Sequence, residues 1–462
     1  MSVPGAPGRL RAPPTVPIAS PGDRAAVPRN ADGGLLGHGA HYLVGELGAK
    51  GLAFLFFLVL ARVLAPTEFG ALSLYVTVTA MTAGLVSLGL PKAILRFYFR
   101  EPPFAETLGT SLALMLACSV LMAALIGLGL GSASAFLDVP PTLLLVAAVG
   151  GPAIAIRDTW LSSLRARKLS RKFAATQVVE VAIYIALVLG LWVGGRDLRY
   201  STVAVSYTGA SVAVVLFALG SWARAPGLAW SPSLVRPLLG FSLPLVLHGL
   251  AMWALTGYDQ IVINQLLGTH ATGVYAFGYR FGMSMIIVST AFSAAWMPEF
   301  LDKVRSPEGR GELDALARRY GGLLIVLSTA LMLLLPPVAW WFGGEEYRDA
   351  IPVIGVVVYG YLWFMLYTFV VGYAMHHGRT RSIAIGTIGA MIVNVGLNYL
   401  VVGRFGIMGA ALVTVLSYML LFIFQYLAAR PLGLDIRYRW LVVRVVAVSP
   451  LPALVYLVVA RL

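Results

Sequence analysis

Apolar runs of roughly twenty residues follow one another along almost the whole chain, separated by short polar stretches, and nothing else limits its possible folds so severely. A helix needs about 20 residues to cross a hydrocarbon core about 30 Å thick. In lipid only helices and closed barrels satisfy every backbone polar group, and long unbroken apolar runs lack the alternation of a barrel strand. Of the 462 residues 59% are apolar and 12% charged, against about 25% charged in a soluble domain. The expected fold is therefore all-α and integral to a membrane.

Six runs lie near 41–63, 69–91, 106–130, 136–156, 173–194 and 201–221, and six more near 239–266, 271–297, 320–343, 350–375, 382–403 and 406–429. They divide the chain into an N-terminal lobe over 35–221, a cytoplasmic linker over 222–238 and a C-terminal lobe over 239–430. An extra helix is expected within 431–462, from a run at 440–460 that holds Arg444, Pro450 and Pro452. Residues 1–34 carry seven prolines and four arginines with no signal-peptide core, and read as a disordered cytoplasmic tail. Cys118 is the only cysteine, so no disulfide framework or cysteine-rich metal site is expected.

The net charge is +14, and its placement follows membrane topology better than nucleic-acid binding. With the N-terminus in the cytoplasm, the inner segments hold 25 of the 34 Lys and Arg residues. Only Arg62, Arg196, Arg199, Arg348, Arg404 and Arg461 fall outside, so the positive-inside rule sets the orientation.

The turn LARVLAPTEFGALSLY matches INQLLGTHATGVYAFG at Leu64 and Leu267 and at Gly70 and Gly273, each pair 203 residues apart. Six intervening helices restore the original direction, so the repeat is parallel about an axis along the membrane normal. Two such lobes can bind cargo between them and open alternately to either side.

Three blocks resemble a known family. They are Lys50 to Tyr75 continued by Gly84 to Phe99, Phe241 to Phe281, and Gly386 to Tyr418, which carries an Asn-x-x-x-Asn helix followed by a short Gly turn. Together they are similar to the polysaccharide-transporter branch of the multidrug/oligosaccharidyl-lipid/polysaccharide exporter superfamily. The resemblance implies a MATE-like fold and a flippase for polyprenyl-pyrophosphate-linked oligosaccharide in the bacterial inner membrane. It also implies partners among glycan polymerases and glycosyltransferases, and no catalytic residue or metal.

Ionisable groups within the membrane are costly and therefore informative. Glu46 and Lys50 are four apart and can pair; Asp259 and Arg280 lie at similar depths on successive helices and can neutralise each other. Lys50, Arg96 and Arg280 are the candidates for the pyrophosphate, with Trp253, Tyr258, Tyr275 and Tyr279 near Arg280 to stack on sugars. Glu180, unpaired by sequence, is the candidate for H+ or Na+ coupling, with Glu46 and Asp259 as charge-pair or coupling residues. Asn394 and Asn398 share a helix face, suited to an interhelical bond or a sugar hydroxyl. His248 reads as a packing residue, and Trp340, Trp341 and Tyr347 as an interfacial aromatic belt.

An ion-coupled drug or cation antiporter shares the fold, and a membrane-embedded polymerase or ligase shares the composition. The second would need catalytic surface outside the membrane, where connections are about ten residues or fewer. No nucleotide-binding glycine loop or HExxH helix occurs in the long inner connections. The charge distribution predicts that a cysteine introduced as Ser2→Cys, in a Cys118→Ser background, reacts with an impermeant maleimide only after cells are permeabilised. Labelling of intact cells would reverse the topology.

Overall fold

The computed structural model describes residues 35–452 apart from 100–102, 225–227, 305 and 433–438. The tail over 1–34 and the far end of the last apolar run lie outside the described residues. Helices in chain order are α1 (Leu35–Val63), α2 (Pro66–Val86), α3 (Leu90–Phe97), α4 (Phe104–Leu128), α5 (Leu130–Leu137), α6 (Pro141–Ala166), α7 (Ser170–Val193) and α8 (Tyr200–Ala223). There follow α9 (Pro232–Met283), α10 (Met285–Lys303), α11 (Pro307–Gly343), α12 (Ile351–His376), α13 (Thr380–Ala429) and α14 (Arg439–Ala447). No strand occurs among the described residues.

Two of these helices are hairpins. The main chain of α9 reverses at Gly268 (φ 85°) and that of α13 at Gly406 (φ 61°), conformations that suit a residue without Cβ. The arms then lie side by side, bonded through Asp259 to Tyr275 in α9 and through Asn394 to Ser417 in α13. Among the described residues nine helical stretches are long and apolar enough to cross a membrane, and two of them contain these reversals. With the 29-residue α1, the described residues make twelve passes. The protein is a multi-pass membrane protein.

Boundaries differ from the apolar runs where charge sits inside a helix. The fourth run ends at 156, but α6 continues to Ala166, because Arg157 and Asp158 pair with each other and Arg157 also finds Glu180 on α7. Likewise α9 starts inside the expected linker, with Pro232 in its first turn, where a missing N–H costs nothing.

The lobes meet most tightly where α2 crosses α9. A Cβ added to Gly70 would stand 2.1 Å from the Thr269 carbonyl oxygen, and one added to Gly273 would stand 1.8 Å from that of Pro66. Pro66 and Thr269 are 203 residues apart, as are Gly70 and Gly273. Each repeat thus offers the other the same turn and glycine, as a two-fold axis between the lobes requires.

The bundle's outside is apolar: Leu116, Val120, Leu216, Phe217, Val326 and Leu334 are each 62–64% exposed, a surface that only lipid tails can cover. Burial is uneven among the helices. In the membrane window of Glu345–His376, 78% of residues are buried, against 11% in those of α4 and α7.

Main chain cannot yield as a side chain would, so Gly273→Ala is expected to destabilise the protein by about 1–3 kcal/mol through overpacking. Gly51→Ala, with nothing within 4 Å of the added carbon, is expected to be neutral or to gain up to about 1 kcal/mol. Thermal unfolding of both variants in detergent checks the contrast.

Candidate functional site

A cavity of about 320 Å³ opens within the N-terminal lobe, between α1, α2, α6, α7 and α8, and the second arm of α9 reaches its wall. Lys50, Arg157 and Arg280 line it against one carboxylate, Glu180, with Tyr184 and Tyr207 beside them. It shares Val76, Arg157 and Tyr207 with a second cavity of about 440 Å³ between α2, α3, α6, α8 and the first arm of α9, where Lys92 and Asp158 stand. The two cavities adjoin at these residues along a path bordered by both lobes.

Arg157 is the centre of the charge cluster. Its Nη1 lies 3.0 Å from both carboxylate oxygens of Glu180, while Nε and Nη2 donate to Asp158 Oδ1 at 3.1 and 2.9 Å. Ser211 Oγ donates to Glu180 at 2.8 Å. Glu180, read from sequence as unpaired, is therefore held by its own lobe. Arg157 was hidden because it adjoins the basic stretch after α6, although it lies nine residues, about 14 Å, before the end of that helix.

Arg280 differs in kind. Half-buried on the cavity wall, it makes no hydrogen bond or ion pair among the described residues, and its guanidinium stands 5.6 Å from the Phe57 ring. The expected neutralisation by Asp259 does not occur. Tyr275 lies five residues before Arg280, about 140° around the helix, and it is Tyr275 that bonds Asp259 on the side facing the C-terminal lobe. Asp259 also accepts from the Gln260 N–H at 2.9 Å, and makes no ion pair among the described residues.

The same geometry corrects the aromatic group. Tyr275 and Tyr279 are fully buried within the C-terminal lobe, and Trp253 donates its indole N–H to the Thr77 carbonyl at 3.1 Å. Tyr184 and Tyr207, 5.5 Å apart, are the tyrosines beside the cations. Alternation of lobe-facing and cavity-facing residues on one helix is invisible without the partner helices.

Lys50 pairs with Glu46 at 2.8 Å as its spacing implies, and Arg165 approaches the same carboxylate at 3.7 Å. Arg96 lines neither cavity: it is exposed on α3 and stacks 4.3 Å from the Phe241 ring, and Lys92, one turn earlier, takes the place on the path. Asn394 donates to Ser417 at 3.0 Å and Asn398 to the Asn394 carbonyl at 3.0 Å, both fully buried within α13. These amides fasten the hairpin and do not reach the cavity.

Polar bonds between the lobes gather at the end that carries the turns at Leu64, Asp138, Gly268 and Gly344. Arg62 donates to the Trp341 carbonyl at 3.1 Å, Tyr347 to that of Leu64 at 3.3 Å, and Asn264 to those of Leu137 and Asp138 at 3.1 and 2.7 Å. Tyr347, read from sequence as part of an interfacial belt, is instead buried against Phe277 at 4.3 Å, since its hydroxyl finds a carbonyl across the lobe boundary. Trp341, 72% exposed, keeps the belt position. Deeper down, Gln260 accepts from Ser73 and Thr77.

Comparison with known proteins agrees with this architecture. The succinoglycan biosynthesis transport protein ExoT of Rhizobium meliloti (strain 1021) is 25% identical over 300 residues, which cover 61% of this chain and 57% of that protein's length. The lipid II flippase MurJ, in an inward closed conformation, superposes with a TM-score of 0.67 at 13% identity, over 90% of this chain and 97% of that one. An inward-facing MATE multidrug resistance transporter of the MOP superfamily gives 0.66 at 16% identity, over 84% and 95%. At such identities the structures share a fold. The polysaccharide biosynthesis protein family matches residues 36–302, more than half of the sequence, and the chain belongs to that family.

Proposed function

We propose that the protein is a flippase that carries a polyprenyl-pyrophosphate-linked oligosaccharide from the inner to the outer leaflet of a bacterial inner membrane. The observation that carries this reading is Arg280, a guanidinium at the wall of a membrane cavity with no counter-charge among the described residues. Keeping such a charge in lipid is costly unless an anion completes it, and a planar guanidinium suits the oxygens of a pyrophosphate. Lys50 and Arg157 add charge on the same wall, while the two tyrosines offer faces and hydroxyls to a sugar.

Alternating access follows from the arrangement of bonds. With the N-terminus cytoplasmic, the polar bonds between lobes close the outer end, and the joined cavities extend from the sealed end toward the inner side. Cargo entering beside Arg157 competes with Glu180 for its guanidinium. The freed carboxylate is then the first-lobe group able to take a proton or sodium ion, and Asp259, without a cationic partner, is its counterpart in the second lobe. A cationic drug would meet three basic side chains on the same wall, which disfavours the antiporter reading. Glycosyltransferases that build the lipid-linked unit and a polymerase that consumes it are the expected partners.

Depleting the protein is expected to accumulate lipid-linked oligosaccharide in the inner leaflet and to reduce surface polysaccharide. Normal surface polysaccharide without accumulation would reject the proposal. Arg280→Gln removes a charged hydrogen-bond donor worth about 1.5–3 kcal/mol, so transport into vesicles should fall by about 10- to 150-fold. Exchanging Asp259 and Arg280 should not restore it, because the two make no pair; recovery would return Arg280 to a purely structural role. Glu180→Gln should leave Arg157 available to the anion while altering the pH dependence of transport, measured across an imposed pH gradient.

A further inference from the structure

A third concavity lies on the lipid-facing side of α7, turned away from the charge cluster. Thr176, Val179 and Ile183 of α7, Phe217 of α8 and the tryptophan pair Trp160 and Trp222 wall a groove of about 660 Å³, which faces away from the other lobe. The two indoles form its floor, 5.5 Å apart and edge to face. Its apolar wall continues onto the lipid-facing surface, where Val179 is 51% and Phe217 63% exposed.

One end of this groove is basic. Arg167 follows α6, Lys172 lies in the first turn of α7 and Arg224 follows α8, so all three line the groove at the same end of the bundle. None makes an ion pair among the described residues, and no carboxylate lines the groove. Trp222 adds a polar atom that lacks a partner: its indole is 4% exposed, and its Nε1–H makes no hydrogen bond among the described residues. The indole of Trp160, by contrast, donates to Thr176 at 3.3 Å.

We infer that this groove binds an anionic phospholipid, its phosphate held by Arg167, Lys172 and Arg224 and its upper acyl chain laid along Val179, Ile183 and Phe217. The ligand must be apolar along most of its length and anionic at one end, and that end must sit at the depth where α6 and α8 finish and α7 begins. A membrane lipid satisfies all three conditions, whereas a soluble anion leaves the apolar wall uncovered. Basic clusters at inner helix ends attract anionic headgroups with about 1 kcal/mol per charge. The charge distribution of the whole chain places this end in the cytoplasmic leaflet. Because α7 carries Glu180 and Tyr184 on its other side, a lipid seated here would brace the helix that holds the ion cluster.

The full chain in nanodiscs provides the test. Photoactivatable phosphatidylglycerol should label the segments 172–183 and 213–224, and a phosphatidylcholine probe with the same acyl chains should not. The triple variant Arg167→Gln, Lys172→Gln, Arg224→Gln should lose most of the phosphatidylglycerol label, at about fivefold per charge removed. Neutralising Arg318, Arg319 and Arg444, the arginines grouped near α14, should leave it unchanged. Equal labelling by the two probes in the unmodified protein would overturn the inference without reliance on any variant. Retained label in a folded triple variant would also overturn it. Displacement of the probe by inorganic phosphate would assign the rim to a soluble anion and reject the lipid.

Discussion

Two main chains pass within contact distance where α2 crosses α9, and this approach organises the rest of the molecule. Only residues without side chains allow it, and the repeat supplies them symmetrically as Gly70 and Gly273. With the lobes in backbone contact at one end, residues of α2 one to two turns beyond Gly70 must face the first arm of α9. Ser73, Thr77 and Gln260 occupy that zone and bond across it. The first cavity opens beside Ser73 and the second beyond Thr77, and Gly89 and Ser242 bring the two main chains close again further along. The polar bonds of Arg62, Tyr347 and Asn264 belong to the same closed end and reinforce the crossing.

Lipid makes every charge account for itself, and this protein gives its charges three different answers. Glu46 and Lys50 neutralise each other across one turn of α1. Arg157 is surrounded by two carboxylates and a helix hydroxyl holds one of them, an arrangement whose cost is shared among several bonds. Arg280 has neither, and its nearest aromatic face, Phe57, offsets only a small part of its desolvation. The cations of one cavity thus range from fully paired to unpaired among the described residues.

Most of the architecture was legible from apolar periodicity alone, because a bilayer imposes one length on every spanning helix. Twelve of the expected helices, found as twelve passes among the described residues, together with the two lobes and the repeat, follow from run lengths and from Leu64, Gly70, Leu267 and Gly273. The candidate site was legible only in part. Sequence identifies which helices carry charge, and it pairs Glu46 with Lys50 since both sit on one helix. It could not pair Glu180 with Arg157, which lie on different helices, and it assigned Arg157 to a loop because charge was taken as the end of a span. Nor could it separate Asp259 from Arg280, because equal depth says nothing of angle around the helix axis.

The contrast between a deeply buried α12 and the sparsely covered α4 and α7 has a bearing on how such proteins diversify. Almost every position of α12 touches several neighbours at once, so changes there must be compensated elsewhere and accumulate slowly. The positions of α4 and α7 that meet only lipid tails can drift more freely, while the inner side of α7 stays tied to Arg157, Ser211 and Tyr207 through Glu180 and Tyr184. Lineages that descend from one ancestor should therefore record unequal rates of change from helix to helix, slowest along α2 and α12 and fastest on the outer side of α4.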